Sequence, residues 1–389
     1  MKILVVVTDL EVPPRKGFQR IVLDRIQHLA RTHTVIVVSI GMSIPSPEVH
    51  RTMANYGVSL IVLHVGPLRL VRNIVWGYLV RGEALQAALY TYDWGWKIKL
   101  LLEEHKIDVV YAIMARCWND LRDCKVPCVM DMVDSMQVNY MSRLPHMIGL
   151  KKFFYALELQ RMIKLENEVV GKATVALLVS RKDNMWPNAQ NLRFVPLGIH
   201  LSTFRPTHTS KQYSFVFSGN MSYGPNQDAA EFFLTKCWPR ILALRADATV
   251  LIVGRDATEV LSKYIGTKNA TITGFVPDIS ATIQSAEIAV APMLTGSGMQ
   301  NKILEAMACA VPVVCTTKGL GDIRANHGTD IVVADDEAMF VTACINLLDD
   351  ENRRTEIGRN GRRVVVEGYS VDCINKMVED IIANLEHIK

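Results

Sequence analysis

The 389-residue sequence lacks long hydrophobic runs, paired cysteines and two familiar ligand signatures. No apolar segment approaches the roughly 20 residues that cross a bilayer, so we expect no membrane-spanning helix. The eight cysteines are scattered without a CxxC pair, which argues against a disulfide framework and a zinc site. There is no Asp-x-Asp of the kind that holds a metal-bound diphosphate, and no GxGxxG of an NAD site follows the opening strand. We therefore expect a reduced, cytoplasmic globular protein.

Composition and charge divide the chain in two. The apolar content of 49% and the charged content of 21% are ordinary for a globular protein, and the length favours two domains over one core. Residues 1–200 carry 25 Lys and Arg against 17 Asp and Glu, whereas the remainder carries 18 against 22. The basic first half predicts contact with an anionic surface, and we expect no nucleic acid partner.

Short apolar runs alternate with longer helical patterns in the first half. Continuous rather than alternating apolar strands, separated by helices, indicate a parallel sheet that is covered on both faces. The predicted strands are Lys2–Thr8, Thr34–Ile40, Ser59–His64, Val109–Ile113, Cys128–Asp131 and Thr174–Val179. The predicted helices include Phe18–Arg31, Leu85–His105 and Lys151–Val170.

The same pattern restarts after a segment rich in Pro, Thr and Ser at residues 196–212, which we interpret as a linker. The second set of predicted strands is Ser214–Ser218, Thr249–Val253, Thr271–Thr273, Ile288–Ala291, Val311–Cys315 and Ile331–Val333. The predicted fold is α/β, with two Rossmann-like, doubly wound domains facing a cleft. We place them at residues 1–200 and 201–368, with a C-terminal helix at 369–389, capped by Ser370, that packs back on the first domain.

One stretch, GSGMQNKILEAMACAVPVVCT (296–316), concentrates ligand-binding residue types at a strand-to-helix turn. Glycines let the backbone approach a ligand, and the helix start adds the positive end of its dipole. Lys302 adds a cation, and the carboxylate of Glu305 suits a ribose diol. A glycine-rich turn followed by an ordinary Lys–Glu pair is the simpler interpretation, and spacing alone leaves both open.

Five further motifs accompany this stretch. They are VPPRKGFQR (12–20), DMVDSMQ (131–137), PLGIHLSTFRP (196–206), FSGNMSYGPNQDAAEFF (217–233) and ITGFVPDI (272–279). In this order they resemble the motifs of the family-4 (group 1) retaining glycosyltransferases, which have the GT-B fold. The pattern is closest to exopolysaccharide-associated sugar transferases. The resemblance covers essentially the whole chain.

The resemblance implies a set of site residues. Glu305 matches the second glutamate of the family's E-x7-E motif and would bind the donor ribose, and Lys302 would face the diphosphate. The implied donor-binding positions are Gly17, Arg20, Gly219, Asn220, Phe275, Val276, Gly296, Ser297, Gly298, Lys302 and Glu305. The implied catalytic positions are Asp134, Lys302 and Glu305.

The sequence also departs from the family pattern. Ser297 stands where the first glutamate of E-x7-E is usual, and Asn220 replaces an arginine, which leaves Lys302 and Arg20 to neutralise phosphate. The usual histidine at the end of a first-domain strand is missing, and Asp134 is nearest its place. Asp134 either positions the acceptor or the sugar, or only caps the next segment.

The resemblance implies transfer of a sugar from a nucleoside diphosphate, of UDP or GDP type, to an acceptor hydroxyl with retention of configuration. It implies no cofactor and no metal, because helix ends and cationic side chains take the metal's place. The acceptor would be a saccharide or a polyprenyl-linked saccharide in exopolysaccharide or glycolipid assembly. A nucleotide-sugar 2-epimerase of the same architecture and a catalytically silent partner subunit remain the alternatives.

Two stretches combine basic and aromatic residues, LRLVRNIVWGYLVR (68–81) and RLPHMIGLKKFFYAL (143–157). Such a combination suits a surface that rests on anionic lipid headgroups, which would make the protein peripherally membrane-associated. The alternative is a helix that buries its apolar face in the core while its arginines stay solvated.

Overall fold

The computed structural model describes residues 1–14, 17–90, 94–207, 209–295 and 299–385. The chain forms two compact units. The first comprises Met1–Pro196 together with Asn375–Lys389, and the second comprises Leu197–Ile374. Every helix in the described part of the chain is too short or too polar to cross a membrane.

The first unit is built on a seven-stranded parallel sheet. Its strands are β1 (Lys2–Thr8), β2 (Thr34–Gly41), β3 (Ser59–His64), β4 (Val109–Ile113), β5 (Cys128–Asp131), β6 (Val175–Leu178) and β7 (Leu192–Phe194). They lie in the order β3-β2-β1-β4-β5-β6-β7, so the chain reverses its direction of growth between β1 and β4. Strands β1 and β4 are buried almost throughout, as their continuous apolar sequences predict.

Helices cover both faces of this sheet. They are α1 (Gly17–Leu29), α2 (Pro47–Asn55), α3 (Pro67–Asn73), the π-helical segment Ile74–Val80, α4 (Leu85–Tyr90), α5 (Gly95–His105), α6 (Met136–Arg143) and α7 (Gly149–Lys172). The single helix predicted at Leu85–His105 is wrong, because the structure has α4 and α5 instead. The start of α5 is held by Asp120, whose carboxylate accepts the backbone N–H groups of Trp94 at 2.9 Å and Gly95 at 3.1 Å.

The second unit repeats the topology with six parallel strands. They are β8 (Tyr213–Ser218), β9 (Val250–Val253), β10 (Ala270–Thr273), β11 (Ala286–Ala291), β12 (Val313–Cys315) and β13 (Val332–Val333). Their order is β10-β9-β8-β11-β12-β13, which puts the reversal between β8 and β11. The predicted fold class, two Rossmann-like parallel-sheet domains, is therefore confirmed.

The helices of the second unit complete its core. They are α8 (Gly224–Phe232), the π-helical segment Phe233–Cys237, α9 (Trp238–Leu244), α10 (Ala257–Val260), α11 (Ile279–Gln284), α12 (Asn301–Ala308), α13 (Thr317–Leu320), α14 (Glu337–Asp349) and α15 (Glu351–Gly368). On one face of the sheet the rings of Phe215, Phe233, Trp238 and Phe340 pack together, with centroids 6.0–6.3 Å apart.

The final helix, α16 (Val371–Ala383), begins with Ser370 as its cap, since the Ser370 hydroxyl accepts the N–H of Cys373 at 3.2 Å. Its later turns pack with the first unit. Glu379 accepts the Thr32 hydroxyl at 2.6 Å, and its other carboxylate oxygen lies 3.1 Å from His28 Nε2. The later turns of α16 therefore form part of the first unit.

Helix α15 supports α12 through a close backbone contact at Gly358. A Cβ at this position would lie 2.2 Å from the carbonyl oxygen of Ala310, which follows α12 directly. Gly361, one turn later, faces the Asp330 carbonyl in the same way, at 2.8 Å. These two glycines set the distance at which α15 can approach α12.

We expect Gly358→Ala to lower the free energy of unfolding by about 2 kcal/mol or more, because the methyl group would collide with backbone that cannot rotate away. Helix propensity alone predicts the opposite sign, a gain of up to about 1 kcal/mol. Urea denaturation followed by circular dichroism measures the difference. Gly171→Ala in α7, where no atom lies within 4 Å of the added methyl, is the matched control and should be neutral or stabilising. Equal effects of the two substitutions would contradict the close-contact explanation.

Candidate functional site

A cavity of about 490 Å³ opens at the carboxyl ends of the strands in the second unit. It lies where β8, β9 and β10 end and where α12 begins. This position beside the reversal of strand order is where parallel α/β sheets bind ligands. The lining residues are Ser218, Gly219, Asn220, Tyr223, Asn226, Val253, Gly254, Arg255, Phe275, Val276, Pro277, Ile279, Met299, Gln300, Asn301, Lys302 and Glu305.

Two glycines bring the ends of β8 and β9 unusually close together. Gly254 has a φ of 150°, and a Cβ there would lie 1.8 Å from the carbonyl oxygen of Gly219. Gly219 in turn has no room for a side chain, because its Cβ would meet the Asn226 amide at 2.9 Å. The cavity wall is therefore backbone at both positions.

Asn226, in the first turn of α8, connects two parts of the cavity. Its side chain is buried, and its Nδ2 donates to the carbonyl oxygen of Asn220 at 2.9 Å. Its Oδ1 accepts a hydrogen bond from Lys302 Nζ on α12. Since each amide atom has a separate partner, Asn226 holds the turn after β8 and the Lys302 ammonium in fixed relation.

Lys302 is a cation in a largely apolar environment. Besides Asn226, its Nζ lies 3.5 Å from the sulfur of Met293 and 4.9 Å from the centre of the Phe217 ring. Burial lowers the pKa of Lys302 to about 8, and the charge of Glu305 acts in the opposite direction. The ring face favours the charged form, while desolvation disfavours it.

Glu305 lies one turn after Lys302 and is enclosed to a similar degree. Burial raises the pKa of its carboxyl to about 7, and the Lys302 charge partly offsets that rise. A cation and an acid, each enclosed and each titrating near neutrality, therefore lie side by side in the cavity. Perturbed groups of this kind are concentrated at functional sites.

The remaining predicted residues of the second unit fall into two groups. Phe275 and Val276 line the cavity after β10, with the Phe275 ring largely exposed. Gly296, Ser297 and Gly298 lie outside the described residues. The loop before them is held to α8 by a hydrogen bond of 3.2 Å from the Thr295 hydroxyl to Asp228.

The predicted residues of the first unit are Gly17, Arg20 and Asp134. Gly17 begins α1, and Arg20 is exposed one turn later. Asp134 follows β5 on an exposed loop position, and desolvation of its carboxyl and the neighbouring charge of Asp131 raise its pKa. These three residues belong to a different unit from the cavity residues above.

A buried carboxylate fixes the loop that carries Asp134. Glu166 on α7 accepts the Ser135 hydroxyl at 2.7 Å and the backbone N–H of Met136 at 2.6 Å, at the start of α6. Burial raises the pKa of Glu166 to about 7. A carboxylate at a helix N-terminus is stabilised by the helix dipole. Glu166 of α7 therefore caps the first turn of α6.

Sequence reasoning missed Asn226, Gly254 and Glu166. Asn226 stands in the quoted motif FSGNMSYGPNQDAAEFF, but its partner Lys302 is 76 residues further along the chain. Gly254 directly follows the predicted strand Thr249–Val253, and a glycine at the end of a buried strand was the available signal. Nothing local marks Glu166 within α7.

No group of three or more His, Cys, Asp and Glu side chains arranged to hold a metal ion occurs in the part of the chain that the structure describes. The eight cysteines are all free thiols. The cationic side chains that line the described cavity are Lys302 and Arg255.

Comparison with known proteins finds a match to a family model within the second unit. Residues 212–350 match the family model described as Glycosyl transferases group 1. Among curated proteins, the GDP-mannose-dependent monoacylated alpha-(1-6)-phosphatidylinositol monomannoside mannosyltransferase of Corynebacterium glutamicum is 28% identical over 211 residues, which are 48% of this chain and 55% of that protein. The uncharacterized 44.6 kDa protein in the cps region of Klebsiella pneumoniae is 25% identical over 231 residues, 56% of this chain and 58% of that protein. The chain thus spans a little over half the length of the curated relatives it matches.

A likeness to solved structures extends over nearly the whole chain. Anabaena Alr3699/HepE in complex with UDP-glucose superimposes with a TM-score of 0.66 at 13% identity, covering 98% of this chain and 99% of that one. At this level of identity the likeness shows the fold alone.

We expect Asn226→Ala to lower the free energy of unfolding by about 1–3 kcal/mol, because it removes the amide oxygen that accepts from Lys302 and leaves the Asn220 carbonyl with only the Tyr223 N–H as a donor. Chemical denaturation measures the change. Asn301→Ala, at an exposed position at the start of α12, is the control and should stay within about 0.5 kcal/mol of the wild type. A loss at Asn226 no larger than the loss at Asn301 would contradict the bridging role.

Proposed function

We propose that the protein transfers a sugar from a nucleoside diphosphate to an acceptor hydroxyl, a proposal that the match of residues 212–350 to the group 1 glycosyl transferases supports. The observation that carries this proposal is the cavity of the second unit. There a half-buried cation, Lys302, and a half-buried acid, Glu305, lie beside backbone that approaches closely at Gly219 and Gly254. These groups match the three chemical parts of a nucleotide sugar that need recognition, namely the diphosphate, the ribose and the base.

The diphosphate is the leaving group, and negative charge builds on it as the anomeric C–O bond breaks. In the proposed reaction Lys302 and the first backbone N–H groups of α12 face that charge. Groups that are already oriented in a low-dielectric environment stabilise a developing charge without reorganising, which is the main source of catalysis in such sites. The hydrogen bond from Lys302 to Asn226 fixes the ammonium before the donor arrives.

Glu305 is the proposed partner of the donor ribose. A carboxylate accepts hydrogen bonds from both hydroxyls of a diol, and a neighbouring cation favours the ionised form. Because burial raises the pKa of the free carboxyl to about 7, two hydroxyl donors would restore the stabilisation that water no longer supplies. Phe275 and Val276, which also line the cavity, are the proposed frame of the base.

The finer features of the reaction belong to the same proposal. We propose retention of the anomeric configuration, no cofactor or metal requirement, and a role for Asp134 in positioning the acceptor or the sugar, with Gly17 and Arg20 at the diphosphate. The acceptor is a saccharide or a polyprenyl-linked saccharide of exopolysaccharide or glycolipid assembly, met on an anionic membrane that the basic first unit contacts. A relative named as GDP-mannose-dependent and a neighbour solved with UDP-glucose support a donor of GDP or UDP type.

We expect UDP- or GDP-sugars to raise the melting temperature of the wild type and to have little effect on Glu305→Ala, because the substitution removes the ribose acceptor. A ligand at 100 times its Kd stabilises the native state by about 2.7 kcal/mol, which a thermal-shift assay resolves easily. A panel of UDP-, GDP- and ADP-sugars identifies the base.

Glu356→Ala, at an exposed position of α15, is the matched control and should respond like the wild type. If no nucleotide sugar stabilises the wild type, or if Glu305→Ala responds equally, the assignment of the cavity fails. Slow donor hydrolysis without acceptor would support a transferase. Donor binding without any turnover would identify the silent partner subunit, and interconversion of the C2 epimers would identify an epimerase.

We expect nucleotide affinity to fall as the pH rises through about 8. Burial lowers the pKa of Lys302 to about 8 in the free protein, so the ammonium is present below that pH and is lost above it. A bound diphosphate needs the ammonium, so each unit of pH above 8 should weaken binding by up to about tenfold. Isothermal titration calorimetry with the nucleoside diphosphate between pH 6.5 and 9.5 would measure this.

Lys302→Arg is the informative comparison, since a guanidinium stays charged throughout this range. Its affinity should be lower than that of the wild type at pH 7 but nearly independent of pH. A wild-type affinity that does not change between pH 7 and 9.5 would rule out the ammonium as the main diphosphate contact.

A further inference from the structure

The helical segment at residues 67–80 of the first unit has an inverted polarity. Its inward positions include the polar Asn73, whose amide donates to the Leu89 carbonyl at 3.2 Å, and Gly77, where a Cβ would meet Ala88 at 3.0 Å. Apart from Arg72, the large side chains that it exposes are apolar, with Leu68 exposed over 89% of its surface and Leu79 over 65%. The outward apolar residues, called here the 68–80 ridge, are Leu68, Val71, Val75, Trp76, Leu79 and Val80.

A soluble amphipathic helix buries its apolar stripe and exposes its polar one. Here the spacing 68, 71, 75, 79 follows one face of the helix, and that face points to solvent. The interpretation in which this stretch packs apolar side chains into the core holds for Leu70, which contacts the core, and does not hold for the residues of the ridge. Contiguous exposed apolar surface of this kind marks an interaction site.

A second apolar protrusion begins α7. Ile148, Leu150, Phe153 and Phe154 are all exposed, Ile148 over 84% of its surface, and we call them the 148–154 turn. The two phenylalanine rings contact each other edge to face, with centroids 5.8 Å apart. The first turn of α7 therefore projects its side chains beyond the core instead of burying them.

The segments that carry the ridge and the turn are in contact with each other. The guanidinium of Arg161 on α7 lies 4.0 Å from the centre of the Tyr78 ring, and Glu158 accepts the backbone N–H of Leu85 at 2.7 Å. Phe154 precedes Arg161 by two helical turns, about 10 Å along the axis. About two turns of α7 therefore separate the 148–154 turn from the point where α7 contacts the segment of the ridge.

Within the two stretches that carry these side chains, the charged residues have one sign. Residues 67–81 contain three arginines and no acidic residue, and residues 141–157 contain one arginine, two lysines and no acidic residue. Arg72, Arg81, Arg143, Lys151 and Lys152 are exposed. An apolar surface surrounded by cations is complementary to an anionic lipid leaflet, in which the phosphates lie above the acyl chains.

We propose that the 68–80 ridge and the 148–154 turn insert into the headgroup region of an anionic phospholipid membrane, with the surrounding arginines and lysines on the lipid phosphates. The inference deepens the proposed function, on which it rests, by naming the surface that would bring the transferase to a lipid-linked acceptor. It commits to a lipid surface, because association of two copies through this face would bring cations against cations.

Vesicle co-sedimentation tests the surface. We expect the wild type to bind vesicles of equal parts phosphatidylglycerol and phosphatidylcholine, and to bind pure phosphatidylcholine at least tenfold more weakly. Leu79→Glu and Phe153→Glu should each weaken binding tenfold or more, since they place a like charge at the inserted surface. Lys151→Gln should weaken it about fivefold, the effect of one cation near an anionic leaflet.

Leu244→Glu is the matched control, because Leu244 in the second unit is 63% exposed and Phe153 is 65% exposed. Its vesicle binding should equal that of the wild type. Equal loss in Leu244→Glu, or a wild type that does not bind anionic vesicles, overturns the proposal. A wild-type dimer in light scattering that Leu79→Glu dissociates overturns it in favour of a second copy of the chain.

Stabilisation by UDP and GDP, measured in the same variants, separates this proposal from the donor site. Retained nucleotide stabilisation together with lost vesicle binding supports the membrane surface. A wild type that nucleotides stabilise but that ignores anionic vesicles refutes the surface and leaves the donor site intact. Vesicle binding by a wild type that no nucleotide stabilises refutes the donor site instead.

Discussion

The ammonium of Lys302 is the group on which the arrangement of the second unit depends. A cation enclosed by protein is costly unless fixed dipoles replace its water. Here the Lys302 ammonium contacts the Asn226 amide oxygen, the Met293 sulfur and the face of the Phe217 ring. Asn226 can reach this position only because Gly219 leaves the space that a side chain would occupy. A single buried charge thus explains why α8, α12 and the turn after β8 meet as they do.

The same enclosure leaves the free cavity poorly satisfied. Burial lowers the pKa of Lys302 and raises that of Glu305, so the charged form of each group is less favourable in the cavity than it would be in water. An anionic diphosphate and a ribose diol would supply the missing partners, the one to the cation and the other to the acid. The unfavourable environment of these two groups lowers the stability of the free protein. A ligand that supplies their partners would recover that free energy on binding.

The sequence predicted the strands well and the site only in part. Lys2–Thr8, Ser59–His64 and Val109–Ile113 were predicted with the bounds that the structure has, because continuous apolar runs are a strong signal for buried parallel strands. The edge strand Leu192–Phe194 was missed, since it has only three residues and no such run. Lys302 and Glu305 were found through a local motif. Asn226 and Glu166 act on residues distant in sequence, and no local pattern encodes such pairs. Periodicity also could not tell which face of residues 67–80 points inward, because that depends on the fit of Gly77 against Ala88.

The two units share a topology but depart from ordinary packing in opposite ways. The second unit encloses charges at the ends of its strands, whereas the first exposes Leu68, Leu79 and Ile148 that packing alone would bury. The enclosed charges and the exposed apolar side chains both lower the free energy of unfolding. Neither adds to the hydrophobic core that each unit has around its sheet. Features that lower stability without contributing to the core are expected where the protein binds a ligand or a surface. The position of each therefore indicates its role, since enclosed charges suit a small anionic ligand and exposed apolar ridges with basic flanks suit a broad anionic surface.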